Sequence, residues 1–326
     1  MTASKFLKPL SVFILAATVV SAPAVAQTYP SKPIRLIVGF PPGGGTDLLG
    51  RVLAQQLSSR LATPVVVENV IGAGSSIAAG VAAKAAPDGY TILLATSSLA
   101  INPSLYKSVS YSLENFIPIA RVGDSPFAVL VGPEGPRTLN ELLATAKANP
   151  GKLNYSSGGN GSVGNISAEL LKFASGEKIT HVPYKGTGPA VAALMGGYVD
   201  VSFADLAACL PFIRAGKVKA LAVTTSERVK WLPEIPTASE AGLPGYEVVL
   251  WNGLFLPAGT PDGVVAKVYA AVNDMVSSPS PELIERYNQL GMVFPTSQSR
   301  TAFAEFVKAD FASWKKRITD SKVQLN

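Results

Sequence analysis

"PIRLIVGFPPGGGTDLLGRVLAQQLSSRL", residues 33 to 61, decides how the chain is read. An apolar, β-branched run ends at Phe40, and three glycines follow at 43–45. Thr46 and Asp47 then open a stretch that puts Leu49, Val52, Leu53, Leu57 and Leu61 on one side of a helix. The local grammar is strand, glycine loop, helix. Beyond it, "PVVVEN" reads as a short buried strand, "IGAGSSIAAGVAAKAA" as a helix with a glycine-rich start, and "DGYTILLATSS" as a third strand.

A second copy begins near Lys152. "KLNYSS" is a strand, "GGNGSVGNISAELLKFA" a glycine loop running into a helix, and "ITHVPYKG", "TGPAVAALMGG" and "YVDVSFAD" a strand, a helix and a strand. Gly43 lies 21 residues before the next strand at Pro64, and Gly158 lies 21 before Ile179. Such alternation predicts parallel sheets with right-handed crossovers, which take ligands beyond the carboxyl ends of their strands. Both glycine loops sit at such ends and would face one shared cleft. Two extended stretches, residues 121–132 and 246–259, join the copies. The chain is thus expected to leave a first domain (27–124 and 250–326), build a second (125–249), and return. Helices near 261–277, 280–290 and 299–320 would complete the first domain. "LAVTTSERVKWLPEIPTASEAGLPGYE", dense in proline and glycine, reads as connector.

The first 26 residues have the form of a secretory signal: Lys5 and Lys8, an apolar core over residues 10–20, and Ala24-Val25-Ala26 before a cleavage point. The core is shorter than the ~20 residues of a spanning helix, so the mature chain is expected in the periplasm and not embedded in a membrane. Loss of the two lysines lowers the formal charge from +6 to +4. No basic run supports nucleic-acid binding. The single cysteine, Cys209, lies in an apolar run and is read as a small buried hydrophobe.

The sharper chemistries fail one by one. A phosphate-binding P-loop needs lysine and a hydroxyl after its last glycine, whereas Thr46-Asp47-Leu48 follow here. Gly159-x-Gly161-x-x-Gly164 fits the dinucleotide pattern, but Tyr184, Lys185 and Gly186 stand where the ribose-binding acid belongs. There is no G-x-S-x-G elbow. His181, the only histidine, lies on an apolar strand, which suits a structural role, and no metal-ligand spacing is present. No enzyme, cofactor or metal is expected. Capture remains: helix amino ends carry unpaired N–H groups and a partial positive charge, and glycine lets an anion approach them.

"YPSKPIRLIVGFPPGGGTD", "VVVENVIGAGSSIAAGVAAKAAPDGYTILLATSS", "HVPYKGTGPAVAALMGGYVD", "SERVKWLPEIPTASEAGLPGYE" and "LFLPAGTP" resemble the Bug (TctC-like) proteins, periplasmic solute-binding receptors of tripartite tricarboxylate transporters. The resemblance covers nearly the whole mature chain. It implies a two-domain, type II periplasmic-binding-protein fold closing around a small organic acid, di- or tricarboxylate, aliphatic or aromatic. It also implies delivery to integral membrane subunits by a monomeric receptor. A periplasmic sensor that shows its closed form to a signalling receptor is the alternative.

Carried onto this chain, the resemblance points to Gly44, Gly45 and Thr46 in the first loop and Gly159, Gly161 and Ser162 in the second. Asp47 joins this set, with helix capping as its direct role because a carboxylate beside a bound carboxylate repels it. Ser97 and Asp205 end the third strands and are expected at the cleft, and Tyr184 on its far wall. Asp205 reads equally as a cap of "LAACLPFIR" and as an acceptor for a ligand hydroxyl, amine or protonated acid. The chain departs from the family at Val163-Gly164-Asn165, where a histidine is common near the place of Asn165.

Overall fold

The structure is a computed structural model that describes residues 29–321. The signal expected at 1–26, with its cleavage point, lies outside them. Strand β1 (Ile34–Val38) is buried at four of five positions and pairs in parallel with β2 (Val65–Asn69) and β3 (Thr91–Thr96). Helix α1 (Gly45–Leu61) returns the chain from β1 to β2, and α2 (Ser76–Ala83) from β2 to β3. The five apolar residues expected on one side of α1 are all buried. The helix stops where Ala62 turns left-handed and donates to the Ser58 carbonyl.

The second copy repeats this order. β5 (Asn154–Ser157) pairs in parallel with β6 (Thr180–Pro183) and β7 (Val201–Asp205), with α5 (Val163–Ser175) and α6 (Thr187–Met195) between them. Two long strands weld the halves. β4 (Phe116–Val131) runs 16 residues and spends Phe116 to Pro126 against β9 (Val249–Pro257). Its last five residues pair with β7. β9 in turn lies antiparallel to β3. Each half is therefore three parallel strands closed by one antiparallel strand, β2-β1-β3-β9 beside β4-β7-β5-β6. An antiparallel exit strand is how each half hands the chain to the other.

The proline-rich segment is not all connector. Its first residues belong to β8 (Lys219–Val223), which adds to the end of β4 opposite β7. In β8 two half-buried residues are followed by three fully buried ones, so the strand has no in-and-out alternation for a sequence reading to catch. Helices α3 (Ser98–Leu105), α4 (Leu139–Ala148) and α7 (Leu206–Arg214) also join the elements expected from sequence. Helices α8 (Asp262–Ser277), α9 (Pro281–Gln289) and α10 (Arg300–Ser321) return to the first half. Val265, Val268 and Met275 of α8 share a core with Leu53 and Leu57 of α1. A second core runs under both halves, from Ile37 and Leu93 through Trp251 and Phe255 to Phe127 and Tyr155. Among the described residues no helix is long and apolar enough to cross a membrane.

Candidate functional site

Four loops at strand ends meet between the halves, each followed by a helix. After β1, Gly43 turns left-handed (φ +81°) and Gly44 is the extended N-cap of α1. No side chain caps this helix. Asp47 instead reaches back from the first turn: one carboxylate oxygen accepts from the Gly43 amide (2.9 Å) and from Arg51 Nε (2.9 Å). The other accepts from Arg51 Nη2 (3.1 Å) and Asn69 Nδ2 (2.9 Å). Burial alone would raise its pKa, but Arg51, the Gly43 amide and Asn69 together hold it below the usual carboxylate range. The loop is thereby pinned to the end of β2 and its acid is neutralised.

The loop after β5 is built differently. Ser162 is the N-cap of α5, and its hydroxyl accepts from the Asn165 amide (3.2 Å). Asn165 Oδ1 takes the Gly161 amide (3.1 Å), while its Nδ2 reaches the Tyr155 hydroxyl (2.8 Å) and His181 Nδ1 (3.3 Å). At the site of the family departure the chain thus has a buttress: Asn165 fixes the loop from beneath, with its only histidine alongside. His181 stacks on Tyr155 at 4.6 Å and pairs with Ser157 Oγ at 2.7 Å.

Of the third loop only Tyr184 was among the expected site residues, and not its helix end. After β6, Gly186 (φ +113°) is the N-cap of α6, again with no side-chain cap, and Thr187 and Gly188 form its first turn. The Gly186 amide donates to the Gly158 carbonyl (3.2 Å), tying this loop to the second. Its signal is in the sequence: "YKGTGPAV" repeats the strand, glycine, helix grammar once more. At the fourth end, Asp205 closes β7 and caps α7 by accepting from the Ala208 amide (3.0 Å). Burial raises its pKa.

Two of the four helices, α5 and α7, are therefore capped by their own side chains, and two, α1 and α6, present bare first turns. These two aim at one cavity of about 130 Å³, lined by Gly43 to Thr46 on one side and Gly186 to Pro189 on the other. Ser162 and Asp205 complete the polar wall, and Phe40, Phe127 and Leu250 the apolar one. The halves touch around it. A Cβ at Gly45 would lie 2.4 Å from Asp205 Oδ1, one at Gly74 would lie 2.9 Å from the Gly161 backbone, and one at Gly186 would lie 3.0 Å from Pro41. Tyr106 donates its hydroxyl to the Asn160 carbonyl across the cleft (2.9 Å). This is a closed cleft around a site rich in N–H and O–H donors.

The sequence matches the model of the tripartite tricarboxylate transporter family receptors over residues 49–322. The chain belongs to this receptor family. Its fold superposes on the periplasmic binding protein BugD with a TM-score of 0.86 at 35% identity, covering 91% of the receptor and 99% of BugD. Rpa4515 of R. palustris, solved with adipate, matches at TM-score 0.85 and 32% identity over 91% of the receptor and 99% of its own chain. MatC of Rhodopseudomonas palustris, solved with bound malate, matches at 0.82 and 33% over 89% and 100%. The receptor has the two-domain periplasmic-binding-protein architecture, and its relatives are solute receptors rather than enzymes.

Of the residues expected at the site, Gly44, Gly45, Thr46, Ser162 and Asp205 line the cavity. Gly159 and Tyr184 line a neighbouring compartment of about 280 Å³, beyond the contact of Pro41 with Gly186. Asp47 is 1% exposed and shapes the first loop from behind. The Gly161 amide is taken by Asn165, and its Cα face packs on Asn102 and Tyr106. Ser97 is buried beside β9, where its hydroxyl donates to the Val249 carbonyl (3.1 Å) and accepts from the Trp251 amide (3.0 Å). It fastens β3 to β9. Among the described residues no group of three His, Cys, Asp or Glu is placed to hold a metal.

Proposed function

We propose that the receptor captures a small organic carboxylate between its halves, in the periplasm, and hands it to the membrane subunits of its transporter. The observation that carries this is the pair of uncapped, glycine-capped helices α1 and α6 opening on one cavity whose lining includes no basic side chain. Bare first-turn amides and a positive helix end together suit a carboxylate, and hydrogen bonds to an ionised acceptor contribute roughly 1.5–3 kcal/mol each. Thr46 and Ser162 add hydroxyl donors. The relatives solved with adipate and malate, both dicarboxylates, support an acid of that size.

Binding favours closure only through contacts made to both halves. The loops supply this, since α1 belongs to one half and α6 to the other. The division that serves this motion is 27–124 with 250–326 against 125–249, hinged where β4 and β9 cross. The closed monomer is what the membrane subunits read, and Ala26 ends the leader that exports it.

A thermal-shift screen of the purified mature protein across mono-, di- and tricarboxylates tests the reading. A ligand at 100 times its dissociation constant adds ~2.7 kcal/mol of stability. Thr46→Val combined with Ser162→Ala is expected to weaken the best hit. Unchanged affinity in that double variant would exclude this cavity as the acid site. Loss of uptake of the same acid on deleting the gene tests delivery.

A further inference from the structure

The cavity is electrically lopsided. α1 and α6 offer it only donors from their first turns, and Thr46, Ser162 and Thr187 offer hydroxyls. Against this stands one ionisable lining side chain, Asp205. It is 6% exposed, and its Oδ1 lies so near Gly45 that a Cβ there would be 2.4 Å away. The backbone partner that fixes it donates to it: the Ala208 amide at 3.0 Å. That bond uses the carboxyl as an acceptor. Gly45, against which it lies, belongs to the first turn of α1, so Asp205 stands beside amides that open on the same cavity.

We infer that Asp205 sorts the ligands of this cleft, admitting a carboxylate that also offers a hydrogen-bond donor and turning away one that presents a bare second carboxylate there. The donor is a hydroxyl, an ammonium, or a carboxyl group that keeps its proton. This rests on the carboxylate reading of the same cavity and narrows it. Burial disfavours the charge on Asp205, and a ligand donor reaching its oxygen offsets this with a strong, charge-assisted hydrogen bond to the ionised form. A second carboxylate in that position is repelled, with no cation in the lining to offset it. The plainer role, capping α7, is served as well by asparagine as by aspartate. Asp205→Asn therefore keeps the cap while removing the charge, and separates the two roles.

The test is calorimetry at neutral pH with two ligand pairs, malate against succinate and 3-hydroxybutyrate against butyrate, on the wild type and Asp205→Asn. Melting curves of both proteins check that the variant is folded. The wild type is expected to favour a hydroxylated member by about tenfold or more. In Asp205→Asn that ratio is expected to fall towards one, chiefly because succinate gains. An equal ratio in both proteins overturns the inference and leaves the carboxylate reading standing, as does a wild-type preference for succinate and butyrate. A folded wild type that binds none of the four, nor any acid of a wider panel, removes both.

Discussion

Gly45 and Asp205 meet across the cleft with no room for a side chain between them: a Cβ on Gly45 would sit 2.4 Å from Asp205 Oδ1 and 2.8 Å from Ala207 Cβ. Gly45 is the first residue of α1 and keeps an ordinary helical backbone, so alanine is locally acceptable. Gly45→Ala is therefore expected to leave the open protein folded and to obstruct closure. Ligand affinity should fall by about tenfold or more, an overlap of well over 1 kcal/mol, while the melting temperature without ligand stays within a few degrees. Scattering should show no ligand-induced contraction. Wild-type affinity in this variant would mean that closure does not bring α1 against Asp205.

Asp47 touches no part of the cavity yet takes four hydrogen bonds, from Gly43, Asn69 and both nitrogens of the Arg51 fork. Asp47→Ala strips the Gly43 amide of its acceptor and Asn69 Nδ2 of one of its two, leaving it the Phe40 carbonyl. Leaving such groups unsatisfied costs about 1–3 kcal/mol. Chemical denaturation should show that loss, and affinity should fall with it because the first loop is no longer held. Its pKa is depressed in the fold, so this contribution is present at neutral pH and disappears as acid protonates the carboxyl. A variant with full stability and full affinity would dismiss the clamp.

His181 provides a pH signature. Burial depresses its pKa from 6.5 to about 4, with Glu169 opposing the shift and Lys172 adding to it. As pH falls below 6.5 the unfolded chain takes up a proton that the folded chain refuses until about 4. The stability held by the neutral ring is thus complete above that window and declines through it. His181→Gln should melt lower than wild type at about pH 7 and show a shallower decline towards about pH 5, above most carboxylate titration. Parallel melting-temperature profiles for the two proteins would assign the acid sensitivity elsewhere.

How far the site was legible follows from which groups are local in sequence. The doubled strand, glycine loop and helix could be read because β-branched runs and glycines recur at fixed offsets, as from Gly43 to Pro64 and from Gly158 to Ile179. That put the two glycine loops at one cleft, and the family resemblance singled out Gly44, Gly45, Thr46 and Ser162, which line the cavity. What sequence did not show is which amides were already used. Asp47 and Asn165 each reach back four residues to take a loop amide, of Gly43 and Gly161 respectively, and nothing in periodicity reports a side-chain direction. The α6 end was passed over because Gly186-Thr187-Gly188 lacks a long glycine run, although a bare helix start needs only one glycine N-cap. The pairing of β8 with β4 joins residues about ninety positions apart, beyond any local signal.

Closure also makes one hydrogen bond that can be removed without touching the cavity. Tyr106 stands on the first half and donates its hydroxyl to the Asn160 carbonyl on the second, at 2.9 Å, while its ring packs on Gly161. The bond cannot exist when the halves part, so it contributes to the closed state alone. Tyr106→Phe keeps the ring contact and deletes the bond. A neutral hydrogen bond is worth about 0.5–1.5 kcal/mol net, which corresponds to roughly two- to tenfold in affinity. The loss should appear as faster dissociation with little change in association, because the encounter involves the open form. The unliganded open protein should keep its melting temperature. Stopped-flow traces showing an unchanged dissociation rate would mean that the bond to Asn160 does not help hold the ligand-bound cleft shut.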